Sequence, residues 1–389
     1  LVNRDTCDLA DDPPQELIAE CEARHEGQVS PELLRSQIEV GTRVCTSVRE
    51  VADELASLRR TVSDVAGEHG LAPIAAASHP FAQWAKQKHT PKARYATLVS
   101  ELQTVGRRLV TCGMHVHIGI QDPDLRIDMM NQLRYFCPHL LAFSTSSPFW
   151  EGQDTGLKSY RLSVFDGLPR TGLPEYFDSY AQYERFTKVM TDSGLVEDTS
   201  KLWWDIRPNA RFPTLEMRIT DVCTRLDDTV AIAAFYVSLA SRLQRLRRQN
   251  QKWRVYSGSL IKENRWRAQR YGLDEGLVDF GRREITQWDD LIDEIIDLVG
   301  EDADHLGCLK ELCPGCQGGG IHRPPGIPSG ADGEARLSVP DGGLREDATE
   351  RNRIQVLPAH RRRAQAGPGV RPREPQEHQG PQWQQCTRL

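Results

Sequence analysis

The sequence predicts a chain of mixed helix and strand, and three observations carry that prediction. Long segments with apolar residues every three or four positions read as amphipathic helices. Three short segments alternate apolar and polar residues, as half-buried strands do. Both patterns stop near residue 308. Of the 389 residues, 39% are hydrophobic and 27% charged, which is enough apolar material for a sizeable core. The formal net charge of −6 argues against broad electrostatic binding to nucleic acid or to an anionic membrane. It leaves room for a local cationic pocket that holds a small anion.

The helices come in order along the chain. Val51, Leu55, Leu58, Val62 and Val65 make a helix of Val48 to Glu68, closed by Gly70. Leu71 to Ala77 is a short strand candidate. Arg94 to Val110 reads as a helix. So does Ile127 to Ala142, which Pro138 should kink or divide. Thr229 to Gln249 is apolar early and Arg-rich late, as the helix dipole prefers. Trp288 to Val299 is a further helix. No apolar run approaches the roughly 20 residues of a membrane span. Leu1–Asp5 does not read as a leader, and without an initiator Met the sequence reads as starting inside a longer product. The ten cysteines are scattered and several lie in apolar stretches, which suggests reduced thiols and a cytoplasmic chain.

Residues 1–308 read as one catalytic domain and 309–389 as a tail. Beyond Cys313 lie ten of the 23 Pro and twelve of the 30 Gly, a composition expected of disorder. An out-of-frame reading of a GC-rich gene would also produce it. Cys308, Cys313, Cys316 and His322 invite a zinc-knuckle reading, but one Cys-x-x-Cys without a matched second pair is weak support.

The three strand candidates carry the chemistry. In Ser36 to Val44, Ile38, Val40 and Val44 share one face, and Gln37, Glu39 and Arg43 share the other. In Thr111 to Ile120, the apolar face is Cys112, Met114, Val116, Ile118 and Ile120. The other face holds His115 and His117, roughly 6.5 Å apart along the strand. Gly113 and Gly119 flank them and leave the backbone open to close approach. In Thr214 to Thr220, Leu215, Met217 and Ile219 oppose Thr214, Glu216, Arg218 and Thr220.

Each feature has a bland reading by itself. His-x-His is commonly two solvent-facing histidines, Glu-x-Arg a surface ion pair, and Glu39 a solvated carboxylate. Together they place carboxylate, imidazole and guanidinium groups on the polar faces of three strands. One shared sheet would merge those faces into one site. Carboxylates with imidazole suit a hard divalent cation, and a neighbouring guanidinium suits phosphate, so the set points to phosphoryl transfer. The sequence has neither a Gly-x-x-x-x-Gly-Lys-Ser/Thr loop nor a Gly-x-Ser-x-Gly elbow, which argues against P-loop and serine-hydrolase sites.

Gly113-Met114-His115-Val116-His117-Ile118-Gly119 resembles the metal-binding strand of glutamine-synthetase-like ligases, and Thr214-Leu215-Glu216-Met217-Arg218 resembles their Glu-x-Arg strand. Ser144–Trp150, Asp154-Thr155-Gly156, Ser159-Tyr160-Arg161, Asp205-Ile206-Arg207-Pro208 and Glu263–Ala268 narrow the resemblance to the carboxylate–amine ligases, or type 2 glutamate–cysteine ligases. His79-Pro80-Phe81 fits as well, and the match runs from about Leu1 to Cys308.

The resemblance implies an α+β fold with a curved, largely antiparallel sheet and helices packed on its outer face. It implies ATP-dependent amide formation through an acyl phosphate, with Mg²⁺ or Mn²⁺ and with amino acids such as L-glutamate and L-cysteine as substrates. A homodimer is implied too. By carry-over, Glu39, His115 and Glu216 would bind the metal and Arg218 the γ-phosphate. Arg207 would take a phosphate or carboxylate, and Arg161 a substrate carboxylate. His117 stays open between ligand support and nucleotide contact. Asn264, Arg265 and Arg270 would lie near the site mouth, with a solvated basic helix as the alternative for the two arginines. Trp203, Trp204 and Trp266 are expected in the core rather than stacked on adenine. The family opens on a strand carrying Gly-x-Glu-Glu-Glu, and the sequence begins just past it. Two other functional readings therefore stay open: a degenerate member that binds nucleotide or amino acid without catalysis, and a metal-dependent hydrolase built on His115 and His117.

Overall fold

The computed structural model describes residues 1–312 and 385–388. The tail with its candidate zinc knuckle lies outside them apart from Cys308, the short helix Leu309–Leu312 and the segment Gln385–Arg388. The architecture is mixed helix and sheet, as expected. Its centre is a six-stranded sheet built from β1 (Val29–Pro31), β2 (Ile38–Cys45), β3 (His115–Gly119), β4 (Ile206–Pro208), β5 (Thr214–Met217) and β6 (Gln385–Arg388). The order is β4-β5-β3-β6-β2-β1, and every pairing is antiparallel.

The principal helices are α1 (Val48–Glu68), α2 (Ala93–Arg107), α3 (Pro123–Leu133), α4 (Cys137–Ser144), α5 (Leu226–Arg248), α6 (Gly258–Tyr271) and α7 (Trp288–His305). Helix α1 has the expected bounds. The Ser47 side chain accepts from the Glu50 N–H at 3.2 Å, and the Glu50 carboxylate returns to Thr46. Val51, Leu55, Leu58, Val62 and Val65 are fully buried, so the periodic stripe is the packed stripe. Helix α5 opens on Asp227 and Asp228 and closes on Arg245, Arg247 and Arg248, charges that complement the helix dipole.

One face of the sheet is apolar. Ile38, Val40, Val116, Ile118, Ile206, Leu215 and Met217 are at most 5% exposed. Helices α1 and α5 cover that side and pack on each other. The buried Arg59 of α1 donates to the carbonyls of Cys223 (3.1 Å) and Thr224 (3.3 Å), tying the helix layer to the chain just beyond β5. No helix among the described residues is long and apolar enough to cross a membrane. All seven described cysteines are free.

Several expectations need correction. The strand at Leu71 to Ala77 is only two residues long, Leu71–Ala72. The segment Ile127 to Ala142 is divided, as expected, but by a 3₁₀ turn at Arg134–Phe136 rather than at Pro138. Pro138 sits in the first turn of α4, where its missing N–H costs nothing, and the break comes before it. Val44 is 58% exposed and outside the core. Trp204 is buried as expected, but Trp266 is 50% exposed on α6.

His139 of α4 carries a pH prediction. Its ring is buried among Tyr135, Phe136 and Trp288, and burial lowers its pKa to about 4. Because the folded pKa lies below the unfolded one, the unfolded chain binds the proton first. Stability is therefore complete above the ordinary histidine value of 6.5 and is lost as pH falls from there toward 4. The loss is on the order of 3 kcal/mol. Urea titrations across that window should show a shallower decline for His139→Gln than for the parent chain, and identical declines would refute the assignment.

Candidate active site

The other face of the sheet is polar, and antiparallel register sets its layout. Glu216 on β5 lies opposite Arg207 on β4 and His117 on β3. Arg218 follows two residues beyond Glu216 and so points to the same side; its backbone N–H donates to Asp205 O at 2.8 Å. All of these side chains are 2–7% exposed.

Glu216 is the hub. Its carboxylate accepts from Arg207 Nε at 3.1 Å and Nη2 at 3.4 Å, from Asn209 Nδ2 at 2.9 Å, and from Arg218 Nη1. His115 Nδ1 and His117 Nε2 stand 3.8 and 3.9 Å from the same Oε1. Burial would push the Glu216 carboxyl up, but the guanidiniums of Arg207 and Arg218 outweigh it and hold the group well below the carboxylate range. Burial, reinforced by Arg218, keeps His115 neutral. Arg218 Nη1 lies 3.4 Å from His115 Nδ1, which fits a ring nitrogen that accepts. His117 Nδ1 is 3.1 Å from Thr214 Oγ1.

The charge count around Glu216 is uneven. Two guanidiniums share one carboxylate, and both imidazoles lie beside the same oxygen. Burial and the like charge of Arg207 bring the Arg218 pKa down to about 10, so that guanidinium stays protonated at neutral pH. Its buried Nε has no hydrogen-bond partner among the described residues. A desolvated cationic donor of this kind is suited to an anionic oxygen.

Arg161 lies on this side of the sheet too, but its hydrogen bonds go to backbone rather than to Glu216. It donates to the carbonyls of Arg218 and Ile219 at 3.1 Å each and lies 3.8 Å from Asp221. Asp221 in turn accepts from Ser146 N–H (3.0 Å), Ser147 Oγ (2.7 Å) and Ser159 Oγ (2.9 Å). Arg161 thus holds the backbone that carries Arg218. Gly113 makes this possible: a Cβ there would lie 2.2 Å from Arg161 Nη2.

Arg265 works at one further remove. It is clamped between Asp205 (2.8 and 3.2 Å) and Asp166 (2.7 and 2.8 Å). Burial opposes its charge, but the two carboxylates outweigh that and raise its pKa. Asp205 also receives the Arg218 N–H, so the clamp steadies the end of β5. Asn264 is spent on both backbone groups of Val278 (2.9 and 2.8 Å), pinning the Leu277–Asp279 and Glu284–Thr286 hairpin. Arg270 lies over the Tyr271 ring at 5.0 Å. Neither has a contact with the Glu216 cluster.

The expected metal set is not assembled. Glu39 is 1% exposed on β2 and accepts from Ser30 Oγ at 2.9 Å. Strand β6 separates β2 from β3, which places Glu39 two strand spacings, about 9.6 Å, from the column of His115. Among the described residues no group of three or more His, Cys, Asp and Glu side chains could hold a metal ion. Glu216 is moreover flanked by two guanidiniums, which repel a cation.

Asn209 is the hub residue that the sequence reading missed. It lies in the β4–β5 turn, where its Oδ1 accepts from the N–H groups of Arg211 and Phe212. Such an Asx turn just ahead of the Thr214–Thr220 strand candidate was a usable signal.

These residues lie within a match to the glutamate–cysteine ligase family 2 that covers residues 4–310. The chain belongs to that family. A Rhodospirillum rubrum protein is 58% identical over 316 residues, covering 80% of this chain and 81% of its own length. A Jannaschia protein is 52% identical over 312 residues (80% and 82%), and a Solibacter usitatus protein 41% over 319 residues (82% and 81%). All three carry the name "Putative glutamate--cysteine ligase 2". Membership marks this chain as ligase-like, with small-molecule substrates.

Proposed function

We propose that the polar face binds Mg·ATP as a substrate and joins a carboxylate to an amine, with L-glutamate and L-cysteine as the substrate pair. The observation that carries the reading is the unequal charge at Glu216: two buried guanidiniums, one of them with an unpartnered donor, against one carboxylate. The names of the relatives supply the substrate pair. In the proposed sequence a substrate carboxylate oxygen attacks the γ-phosphorus and the bond to the β-phosphate oxygen breaks, releasing ADP. The amine nitrogen then attacks the acyl carbon. Phosphate leaves, and the ammonium proton passes to water. Arg218 and Arg207 offset the charge that grows on the transferring group. Glu216 holds both guanidiniums in place, and no step is assigned to a protein-bound metal. The sheet would be of the curved, glutamine-synthetase-like kind, with this face concave.

Isotope transfer tests the acyl phosphate. With ¹⁸O in the side-chain carboxylate of glutamate, one labelled oxygen should appear in the released phosphate. Phosphate free of label during amide formation would rule the intermediate out. A second reading, ligand binding without catalysis, draws on the unassembled metal set. It predicts thermal stabilisation by ATP or glutamate with no ADP release.

A further inference from the structure

The functional side chains are 1–7% exposed, so substrates reach them only if a covering element moves. Helix α2 is placed to be that element. Strands β1 and β4 are the two edges of the sheet, and α2 is tethered at both. At the β1 edge, Tyr95 donates to the Glu32 carboxylate at 3.1 Å, and Lys92 Nζ reaches Pro31 O at 3.4 Å. Ser30, two residues before Glu32, bonds Glu39, so this tether is on the polar face. At the β4 edge, Glu101 pairs with Lys201 at 3.1 Å. The carbonyls of Ser200 and Leu202, on either side of Lys201, accept from Arg207 Nη1.

Between its tethers α2 rests on a small apolar cluster, where Tyr95 is buried and Leu98 and Val99 are partly buried against Leu33, Leu34 and Trp150. Of its 15 residues only Tyr95 and Gly106 are buried. The helix is also broken: Gln103 has φ 52° and ψ −130°, outside the helical region and strained for a residue with a Cβ. A helix with little buried surface, polar tethers and one strained joint belongs to the low-stability end of a fold.

We infer that α2 is a lid over the polar face, latched by Tyr95 on Glu32 and by Glu101 on Lys201 and hinged at Gln103. The inference rests on the reading of that face as the active site. Its test does not depend on turnover, so the two can fail separately.

Hydrogen exchange followed by mass spectrometry on the full chain without substrate reads the lid directly. Peptides covering Ala93–Arg107 should exchange at least about 100-fold faster than those covering Val48–Glu68. Tyr95→Phe with Glu101→Gln should speed α2 by a further factor of about ten, the size of a lost charge-assisted hydrogen bond, and leave α1 and α5 unchanged. Protection of α2 equal to that of α1 would overturn the proposal. So would a double variant that leaves α2 unchanged or speeds all three helices alike.

Discussion

In the Glu216→Gln variant, ATP turnover should fall by about 10³-fold or more, and the fold should lose about 3–5 kcal/mol. Both effects have one cause. The carboxylate is the only counter-charge that Arg207 and Arg218 share within this cluster. Gln keeps the shape and one acceptor but leaves two buried guanidiniums without an anion. Electrostatic repulsion then turns at least one of them out of the site, and the phosphoryl group loses its support. Urea unfolding and ADP release check the two effects separately. Adding Arg218→Met should recover stability, since the surplus buried charge is gone, without recovering turnover. A fully active Glu216→Gln variant would refute the assigned role.

Gly113→Ala should be nearly as damaging, although it adds a single methyl group. The added carbon would stand 2.2 Å from Arg161 Nη2 and 2.5 Å from Cζ. Arg161 is 3% exposed and held by two carbonyls, so its guanidinium cannot step aside without losing those bonds. The backbone at Arg218 and Ile219 would lose its anchor, and Asp221 its counter-ion. A cost of about 3 kcal/mol is expected, with loss of turnover. A double-mutant cycle with Arg161→Met identifies the mechanism. Shortening Arg161 vacates the space, so the two changes should be less than additive by at least about 1 kcal/mol. Strict additivity would show that the methyl group acts elsewhere.

What the sequence disclosed follows the range of the interactions involved. Helix α1 was readable because its cap and apolar stripe are local, and the bounds agree at Val48 and Glu68. The polar faces of β2, β3 and β5 were readable because side-chain alternation is local too. Their union into one sheet follows from pairing that no single segment encodes. That pairing brings Glu216, His115, His117, Arg207 and Arg218 together and leaves Glu39 two strands away.

The supporting layer was the least legible. The contacts of Arg265 with Asp166 and Asp205 span 99 and 60 residues, and those of Arg161 with Arg218 and Ile219 span 57 and 58. Nothing in local spacing marks such partners. The motif residues Arg161, Asn264 and Arg265 were readable as near the site, but not the backbone and carboxylates they hold. Trp266 misled for a simpler reason: it lies on the solvent side of α6, a helix whose buried side is Ile261, Asn264, Arg265, Ala268 and Gln269.

The most direct test of the proposed ligase chemistry is ADP release by the purified chain with Mg²⁺ and ATP, with L-glutamate and L-cysteine supplied together and each omitted in turn. Release should require both amino acids and match amide formation mole for mole. Release that continues at the same rate with both omitted, or amide formed without ATP, would contradict that chemistry.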